Sequence, residues 1–218
     1  MNLDWSWINR NLGYIGGLTA QHAVLAVLPV LVALVVSIPL GYLVHRTGKA
    51  ANVILSVLGV VYSIPSLALF VALPVVLGTQ ILDPVNIAVA LAIYSVALLV
   101  RSVVDGLRSV PSAVKQSASA IGFGGFGRLV KVELPLAMPV VFAGLRVVTV
   151  SNIALVSVAV VVGGGALGQL FDTGFNRNFF TPIVVGLVLT LLLALVADSI
   201  ILLIQRGTLP WAKRRRTA

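Results

Sequence analysis

Long apolar runs, separated by short polar stretches, dominate the pattern of this chain. The runs fall at about 22–44, 52–78, 85–104, 136–162 and 181–205. Each is long enough to cross the hydrocarbon core of a bilayer as a helix, which takes about 20 residues. Because lipid offers backbone groups no hydrogen-bonding partner, all the runs are predicted to be helical. The pattern therefore predicts an all-α integral membrane protein with about five transmembrane helices.

The second run, 52–78, is long for a single span and contains Pro65 and Pro74. Proline removes a backbone donor and bends a helix, and membrane bundles tolerate this where neighbouring groups satisfy the freed carbonyls. We expect one span with a broken or tilted end.

The first twenty residues differ from the runs that follow. They contain Asp4 and lack the basic start of a signal peptide, while Trp5, Trp7 and Tyr14 favour the membrane interface. We expect residues 1–20 to form an external interfacial segment and residues 21–206 to form the transmembrane domain. The remaining residues, 207–218, are expected to form a basic cytoplasmic tail.

Composition strengthens the membrane assignment and excludes several kinds of chemistry. Of the 218 residues, 59% are apolar and 10% are charged, whereas a soluble domain carries about 25% charged residues. The chain has no cysteine, which excludes disulfides, thiolate metal sites and cysteine nucleophiles. The two histidines have no partner ligands in the sequence, so neither a metal nor a cofactor is expected.

The net charge of +9 is distributed unevenly along the chain. One side of the predicted bundle would carry Arg46, Lys49, Arg108, Lys115, Arg128, Lys131, Arg206, Lys213, Arg214, Arg215 and Arg216. The other side would carry only Arg10 and Arg177. Basic residues collect on the cytoplasmic side, so the N-terminus is expected outside a bacterial inner membrane and the C-terminus in the cytoplasm. The orientation of the chain in the membrane therefore explains the excess of basic residues, and no nucleic-acid partner is expected.

The longest polar connection, residues 105–135, lies on the predicted cytoplasmic side. A connection of this length is usually functional or structured. A helix is expected to start at Ser112 after Pro111, to end at a glycine-rich break near Gly122, and to be followed by a basic amphipathic stretch. The break lacks the strand and the lysine of a phosphate-binding loop. An ordinary helical hairpin between two spans is the simpler alternative.

The spacing in this connection resembles the cytoplasmic signature of permease subunits of binding-protein-dependent ABC importers. That signature reads Glu-Ala-Ala, three residues, Gly, nine residues, Ile, one residue and Leu-Pro. The matching residues here are Gln116, Ser117, Ala118, Gly122, Val132, Leu134 and Pro135. Every spacing agrees, and the glycine, leucine and final proline are identical. Glutamine replaces glutamate at position 116, so a salt bridge from this position is not carried over.

Three further segments resemble the osmoprotectant subgroup of that family, whose members import glycine betaine, carnitine, choline or proline-like compounds. They are VYSIPSLALF (61–70), ELPLAMPVVFAGLR (133–146) and GGGALGQLF (163–171). The resemblance covers roughly residues 20–205. It implies a type I importer permease with a core like that of methionine permeases, which is a transport subunit and not an enzyme. It also implies a second permease copy or a paralogue, two ATPase subunits and an extracytoplasmic solute-binding protein.

The residues of the connection suit the role that the resemblance implies. Small side chains let a short helix approach a partner closely, Gly122 permits a sharp turn, and Pro135 is expected to start the next helix. A methionine-type or other amino-acid permease would share this plan. A membrane channel would leave the coupling loop without a purpose, and a membrane enzyme would need acidic, histidine or serine groups that converge.

Polar residues inside the spans provide the remaining candidates. Arg146 and Asp198 are predicted at matching depth, which favours an ion pair between two helices, with a gate or substrate contact as the alternative. Candidates for the translocation pathway, each of which could equally serve helix packing, are Tyr62, Ser63, Ser66, Tyr94, Ser151, Asn152 and Ser157.

Overall fold

A computed structural model describes residues 3–211, and within that range every regular element is helical. The α-helices are α1 (Trp5–Arg10), α2 (Leu12–Arg46), α3 (Ala50–Ser63), α4 (Ser66–Leu77), α5 (Pro84–Arg108), α6 (Ser112–Ala120), α7 (Gly125–Arg128), α8 (Leu134–Val158), α9 (Gly168–Asn176) and α10 (Phe180–Thr208). A π-helical turn, Leu129–Glu133, joins α7 to α8, and a 3₁₀ turn, Ala159–Val162, follows α8. The predicted tail residues Lys213, Arg214, Arg215 and Arg216 lie outside the described residues.

Four helical segments are long and apolar enough to cross a membrane: α2, α5, Gly125–Val162 and α10. The pair α3 and α4 meets the same criterion jointly, with a bend of 95° between them. The all-α fold with about five spans is confirmed, provided that this bent pair is counted as one span.

The break in the second span was predicted from its prolines, and the structure places it between Ser63 and Ser66. Ile64 is extended (φ −60°, ψ 131°), as a residue before proline prefers. Pro65 has no N–H to continue the helix. The chain therefore turns sharply there, in the interior of the run and not at its end.

The amino-terminal part differs from the expectation, because α2 starts at Leu12 and not near residue 22. Gly, Thr and Gln residues between 12 and 22 lower the apolar signal without interrupting the helix. The preceding α1 is capped by Asp4, which accepts hydrogen bonds from the Ser6 hydroxyl and the Trp7 amide. These hydrogen bonds lower the pKa of Asp4.

Helices α2, α5 and α8 form the centre of the bundle. Their contacts are close because small residues stand where the backbones meet. A Cβ atom at Gly106 of α5 would lie 2.9 Å from the carbonyl oxygen of Ala137, and one at Gly144 of α8 would overlap the Ser102 side chain. Apolar residues such as Leu91 and Ile153 fill the space between the helices. This packed frame fixes the end of α5 and the start of α8, and α6 lies in the connection between them.

Candidate coupling helix and translocation site

The predicted cytoplasmic loop is largely helical. Helix α5 continues to Arg108, α6 occupies Ser112–Ala120, and the next helical segment begins at Gly125. The start of α6 at Ser112 is as predicted. Pro111 is extended (φ −58°, ψ 139°) and ends the preceding turn. The resulting element is a short helix in the connection between two of the central helices.

Gly122 makes the turn after α6. Its φ is +95°, in the region that favours glycine, and a Cβ atom there would meet no other atom within 4 Å. The amide of Phe123 donates to the Ala118 carbonyl at 3.1 Å, which closes the carboxyl end of the helix. Glycine is thus required here by the backbone conformation, since there is room for a larger side chain.

The residues of the signature separate into two groups in space. Ala118 is buried, and Val132, Leu134 and Pro135 are half-buried in the following helical segment. Gln116 and Ser117 are exposed on α6. Two large apolar residues near the turn, Ile121 and Phe126, are each 77% exposed, and their exposure could not be predicted from the signature. The outer side of α6 and its turn therefore offers polar and apolar groups to a partner.

Glu133 holds this segment together, although it occupies the unspecified position of the signature. Its side chain is 7% exposed, and it accepts a hydrogen bond from Arg128 Nε at 2.7 Å. Lys115 Nζ lies 3.6 Å from the same carboxylate and donates to the Leu107 carbonyl at 3.0 Å. Arg128 also donates to the Ser119 hydroxyl at 2.8 Å. The carboxylate thereby links α6, α7 and the end of α5.

Pro135 lies in the first turn of α8, which begins at Leu134, as expected, but α8 itself continues an earlier helical segment. The helical segment begins at Gly125, ten residues earlier, and runs through Pro135. The π-helical turn Leu129–Glu133 precedes the proline. A wider turn changes the usual i to i−4 pattern and relieves the conflict between a proline ring and the preceding helical turn. The long apolar helix α8 and the segment that follows α6 are therefore continuous.

Arg146 on α8 and Asp198 on α10 lie side by side. Arg146 Nε donates to Asp198 Oδ1 at 2.6 Å, and Nη2 donates to Oδ2 at 2.7 Å. Two parallel bonds fix both the distance and the orientation of the helices at this point. Arg101, the other arginine within a span, instead donates to the Leu55 carbonyl at 3.3 Å.

The break between α3 and α4 brings together Tyr62, Ser66 and Tyr94. The two tyrosine rings meet edge to face with centroids 5.7 Å apart. The Tyr94 hydroxyl donates to the Ile64 carbonyl at 2.8 Å, which holds the extended residue of the break. A cavity of about 150 Å³ opens beside these residues and Leu155. Three of the predicted pathway candidates, Tyr62, Ser66 and Tyr94, thus lie together at this cavity.

The other pathway candidates lie elsewhere. The Ser63 hydroxyl donates to the Val60 carbonyl at 2.7 Å within its own helix. Asn152 is 1% exposed, and its Nδ2 donates to the Ser95 hydroxyl at 2.9 Å between α8 and α5. Ser151 is half-buried on α8. Ser157 is also half-buried on α8. The contacts of Asn152 are those of a helix-packing residue, which is the alternative given for these candidates.

Among residues 3–211, no three His, Cys, Asp or Glu side chains are grouped as a metal site requires. His22 is buried, and its Nε2 lies 2.8 Å from the Ile153 carbonyl. It lies well inside α2 because that helix starts before the apolar run.

The chain is thus a bundle of about five spans, with one broken span and a short helix in the connection between two central helices, as expected of a membrane permease. The chain belongs to the family of binding-protein-dependent transport system inner membrane components, whose profile matches residues 19–209. It is accordingly a multi-pass subunit of an ABC importer, a transport component that works with a separate ATPase and a substrate-binding protein.

Several curated relatives resemble the chain over most of its length. The osmoprotectant import permease protein OsmW of Salmonella typhimurium is 34% identical over 191 residues, which cover 86% of this chain and 88% of that protein. The glycine betaine/carnitine/choline transport system permease protein OpuCD of Bacillus subtilis is 32% identical over 211 residues, covering 96% and 91%. The choline transport system permease protein OpuBB of Bacillus subtilis is 32% identical over 197 residues, covering 90% and 89%.

Among solved structures, an inward-facing form of the MetNI methionine ABC transporter superposes with a TM-score of 0.73. It is 20% identical and covers 95% of this chain and 99% of the matched chain. An amino acid ABC transporter with histidines gives a TM-score of 0.68 at 14% identity, covering 95% and 100%. These likenesses confirm the predicted fold of a type I importer permease with a methionine-permease-like core.

Proposed function

We propose that this chain is the permease of an ATP-driven importer of compatible solutes, such as glycine betaine, choline, carnitine or proline-like compounds. The supporting observation is that relatives named for these solutes are 30–32% identical over at least 90% of the chain. A methionine permease shares only the fold, at 20% identity. Methionine is therefore the competing substrate that an experiment has to exclude.

We also propose the composition of the complex: two permease chains, either identical or paralogous, two ATPase subunits and one external solute-binding protein. The most apolar stretch of α10 is not buried within the single chain. Large residues such as Leu191 and Leu195 are exposed along it. Part of this surface would contact lipid, and part would contact a second permease that completes the pathway.

The coupling step is assigned to α6. Gln116 and Ser117 would lie in a groove of the ATPase, with Ile121 and Phe126 beside them. Because Glu133 links α6 to α5 and α7, a displacement of α6 would be passed to the spans. Such rigid-body movement would switch access to the pathway from one side of the membrane to the other. Glutamine at 116 supplies neutral hydrogen bonds in place of a salt bridge.

Within the membrane, the solute is proposed to pass the break between α3 and α4. Tyr62 lies about 20 Å along α3 from its cytoplasmic start, and Tyr94 lies at a similar distance from the cytoplasmic end of α5. The face of a tyrosine ring attracts quaternary ammonium groups. The tyrosine pair would therefore offer a weak stopping point for the trimethylammonium group of betaine, choline or carnitine.

The orientation is proposed from the distribution of basic residues, with the N-terminus outside and the C-terminus in the cytoplasm of a bacterial cell. Because the chain has no cysteine, single cysteines can be introduced without background. In intact cells, a membrane-impermeant thiol reagent is expected to label Ser6→Cys and to leave Ser119→Cys unlabelled. The reverse pattern would invert the proposed topology.

Uptake into proteoliposomes tests the substrate assignment directly. The transporter, with its own ATPase and solute-binding protein, would be supplied with labelled glycine betaine, choline, carnitine, proline and methionine in separate assays. ATP-dependent uptake of at least one of the first four is expected. Uptake of methionine alone would contradict the proposal, and a complex that purifies without an ATPase would favour a channel or a membrane enzyme.

Tyr62→Leu is expected to lower the uptake of the quaternary ammonium solutes by about fivefold, because a cation–π contact of roughly 1 kcal/mol is lost. Tyr62→Phe retains the ring and should retain most of the uptake. Tyr14→Leu, at an exposed tyrosine of the outer part of α2, is the matched control. Equal uptake by Tyr62→Leu and the wild type would remove the tyrosine pair from the pathway without affecting the substrate assignment.

A further inference from the structure

A second cavity, of about 560 Å³, opens at the cytoplasmic end of α2, next to α6 and α7. Its walls include three cationic side chains, Arg46, Lys115 and Arg128, and one carboxylate, Glu133. The aromatic rings of Tyr42 and Phe126 also line this cavity. The passage of solute does not use this cavity, and the proposed coupling step involves its wall residues Phe126 and Glu133 without filling the cavity itself.

The charges of the cavity do not cancel. Glu133 is already bonded to Arg128 and lies within 3.6 Å of Lys115. Arg46 forms no ion pair with any residue in the range 3–211, and its guanidinium carbon lies 5.8 Å from the centre of the Tyr42 ring. Three cations against one carboxylate leave a formal surplus of two positive charges. The cavity is therefore suited to an anion.

An apolar cavity of about 220 Å³ adjoins the basic one and shares Tyr42 and Phe126 with it. Its other walls include Ile38 from α2, Leu129 from the π-helical turn and Leu134 from α8. The two cavities together form a site that is basic at one end and apolar at the other. A soluble anion would leave the apolar part empty, whereas a molecule with an acidic head and a hydrocarbon chain would fill both.

The position in the membrane supports the same conclusion. Arg46 is the last residue of α2, and Tyr42 lies one turn before it. The basic cavity is thus at the level of lipid headgroups on the proposed cytoplasmic side, and the apolar cavity continues toward the acyl chains. Basic pockets between helices on this side of a membrane are suited to acidic headgroups.

We propose that the two cavities bind one anionic phospholipid. Its phosphate would lie against Arg46, with Lys115 and Arg128 nearby, and the upper part of an acyl chain would lie along Ile38 and Leu134. Because the walls come from α2, α6, α7 and α8, the lipid would join the coupling segment to the first long span. The inference does not depend on which solute the transporter carries.

Native mass spectrometry of the assembled transporter, titrated with phosphatidylglycerol or phosphatidylcholine of equal chain length, tests the proposal. Phosphatidylglycerol is expected to bind the wild type more tightly than phosphatidylcholine does. Arg46→Gln should weaken the binding of phosphatidylglycerol about fivefold, as expected for one basic residue near an acidic surface. Lys49→Gln, which removes an exposed cation outside the cavity, is the matched control and should bind as the wild type does.

Three results would overturn the proposal. The first is equal binding of both lipids, and the second is an equal loss in Lys49→Gln and Arg46→Gln. The third is displacement of the lipid by glycerol 3-phosphate, which would assign the cavity to a soluble anion. An unchanged melting temperature of Arg46→Gln in phosphatidylcholine would show that the variant is folded.

Discussion

Replacing Gly122 by valine is expected to lower solute uptake and solute-stimulated ATP hydrolysis together, by about tenfold. A residue with a Cβ is destabilised by roughly 1–2 kcal/mol in a left-handed conformation, and Gly122 has a φ of +95°. The turn would relax toward another conformation and displace α6 from the position that we propose docks on the ATPase. The spans are untouched, so insertion into the membrane should be normal.

Gly124→Val is the matched control for this experiment. Gly124 lies two residues away in the same glycine-rich segment and has extended backbone angles (φ −67°, ψ 163°) that valine adopts readily. A Cβ atom there meets nothing within 4 Å. Both activities would be measured on reconstituted transporter. Normal uptake by correctly inserted Gly122→Val protein would exclude this turn from coupling, and equal losses in both variants would show that conformation is not the cause.

Arg146→Ala and Asp198→Ala are each expected to lower the melting temperature of the purified complex, by about 5 °C or more. The two side chains satisfy each other through two hydrogen bonds. Removing one partner leaves the other charged within the membrane without its counter-ion, whereas removing both leaves no such charge. The double variant should therefore lose less than the sum of the single losses.

The cycle of four proteins measures this coupling. The exchange Arg146→Asp with Asp198→Arg should recover part of the loss. Arg101→Ala, at an arginine that bonds only to a carbonyl among the described residues, should show no coupling with Asp198→Ala. If the losses at 146 and 198 simply add, the ion pair contributes nothing as a pair, and Arg146 becomes a candidate for gating.

The spans could be predicted from the sequence because a bilayer imposes a strict length and polarity on a helix that crosses it. The same criterion misplaced the start of α2. Gly16, Gly17 and Thr19 lower the local hydropathy, yet a helix that continues into a long packed span does not need apolar residues in its first turns. The break at Pro65 was predictable because the restriction is local to the proline and the residue before it.

The arrangement around α6 was only partly predictable. Spacing identified Gly122 and Ala118, and local chemistry explains both. The role of Glu133 depends on Lys115, eighteen residues away, and on a π-helical turn that the hydrophobic pattern of the sequence does not predict. The proximity of Tyr62 to Tyr94 likewise depends on how α3 packs against α5. Such contacts are set by tertiary packing, which the pattern of a single chain does not specify.

The π-helical turn Leu129–Glu133 brings the side chains of Arg128 and Glu133 close enough to form their ion pair. In a regular α-helix, residues five apart project about 140° from each other and do not meet. The wider turn reduces this angle, which lets the two side chains approach to 2.7 Å. The number of residues in this turn therefore sets the direction in which α7 projects from the axis of the span. Adding or removing one residue in this turn would rotate α7 about the axis of the span by about 100°.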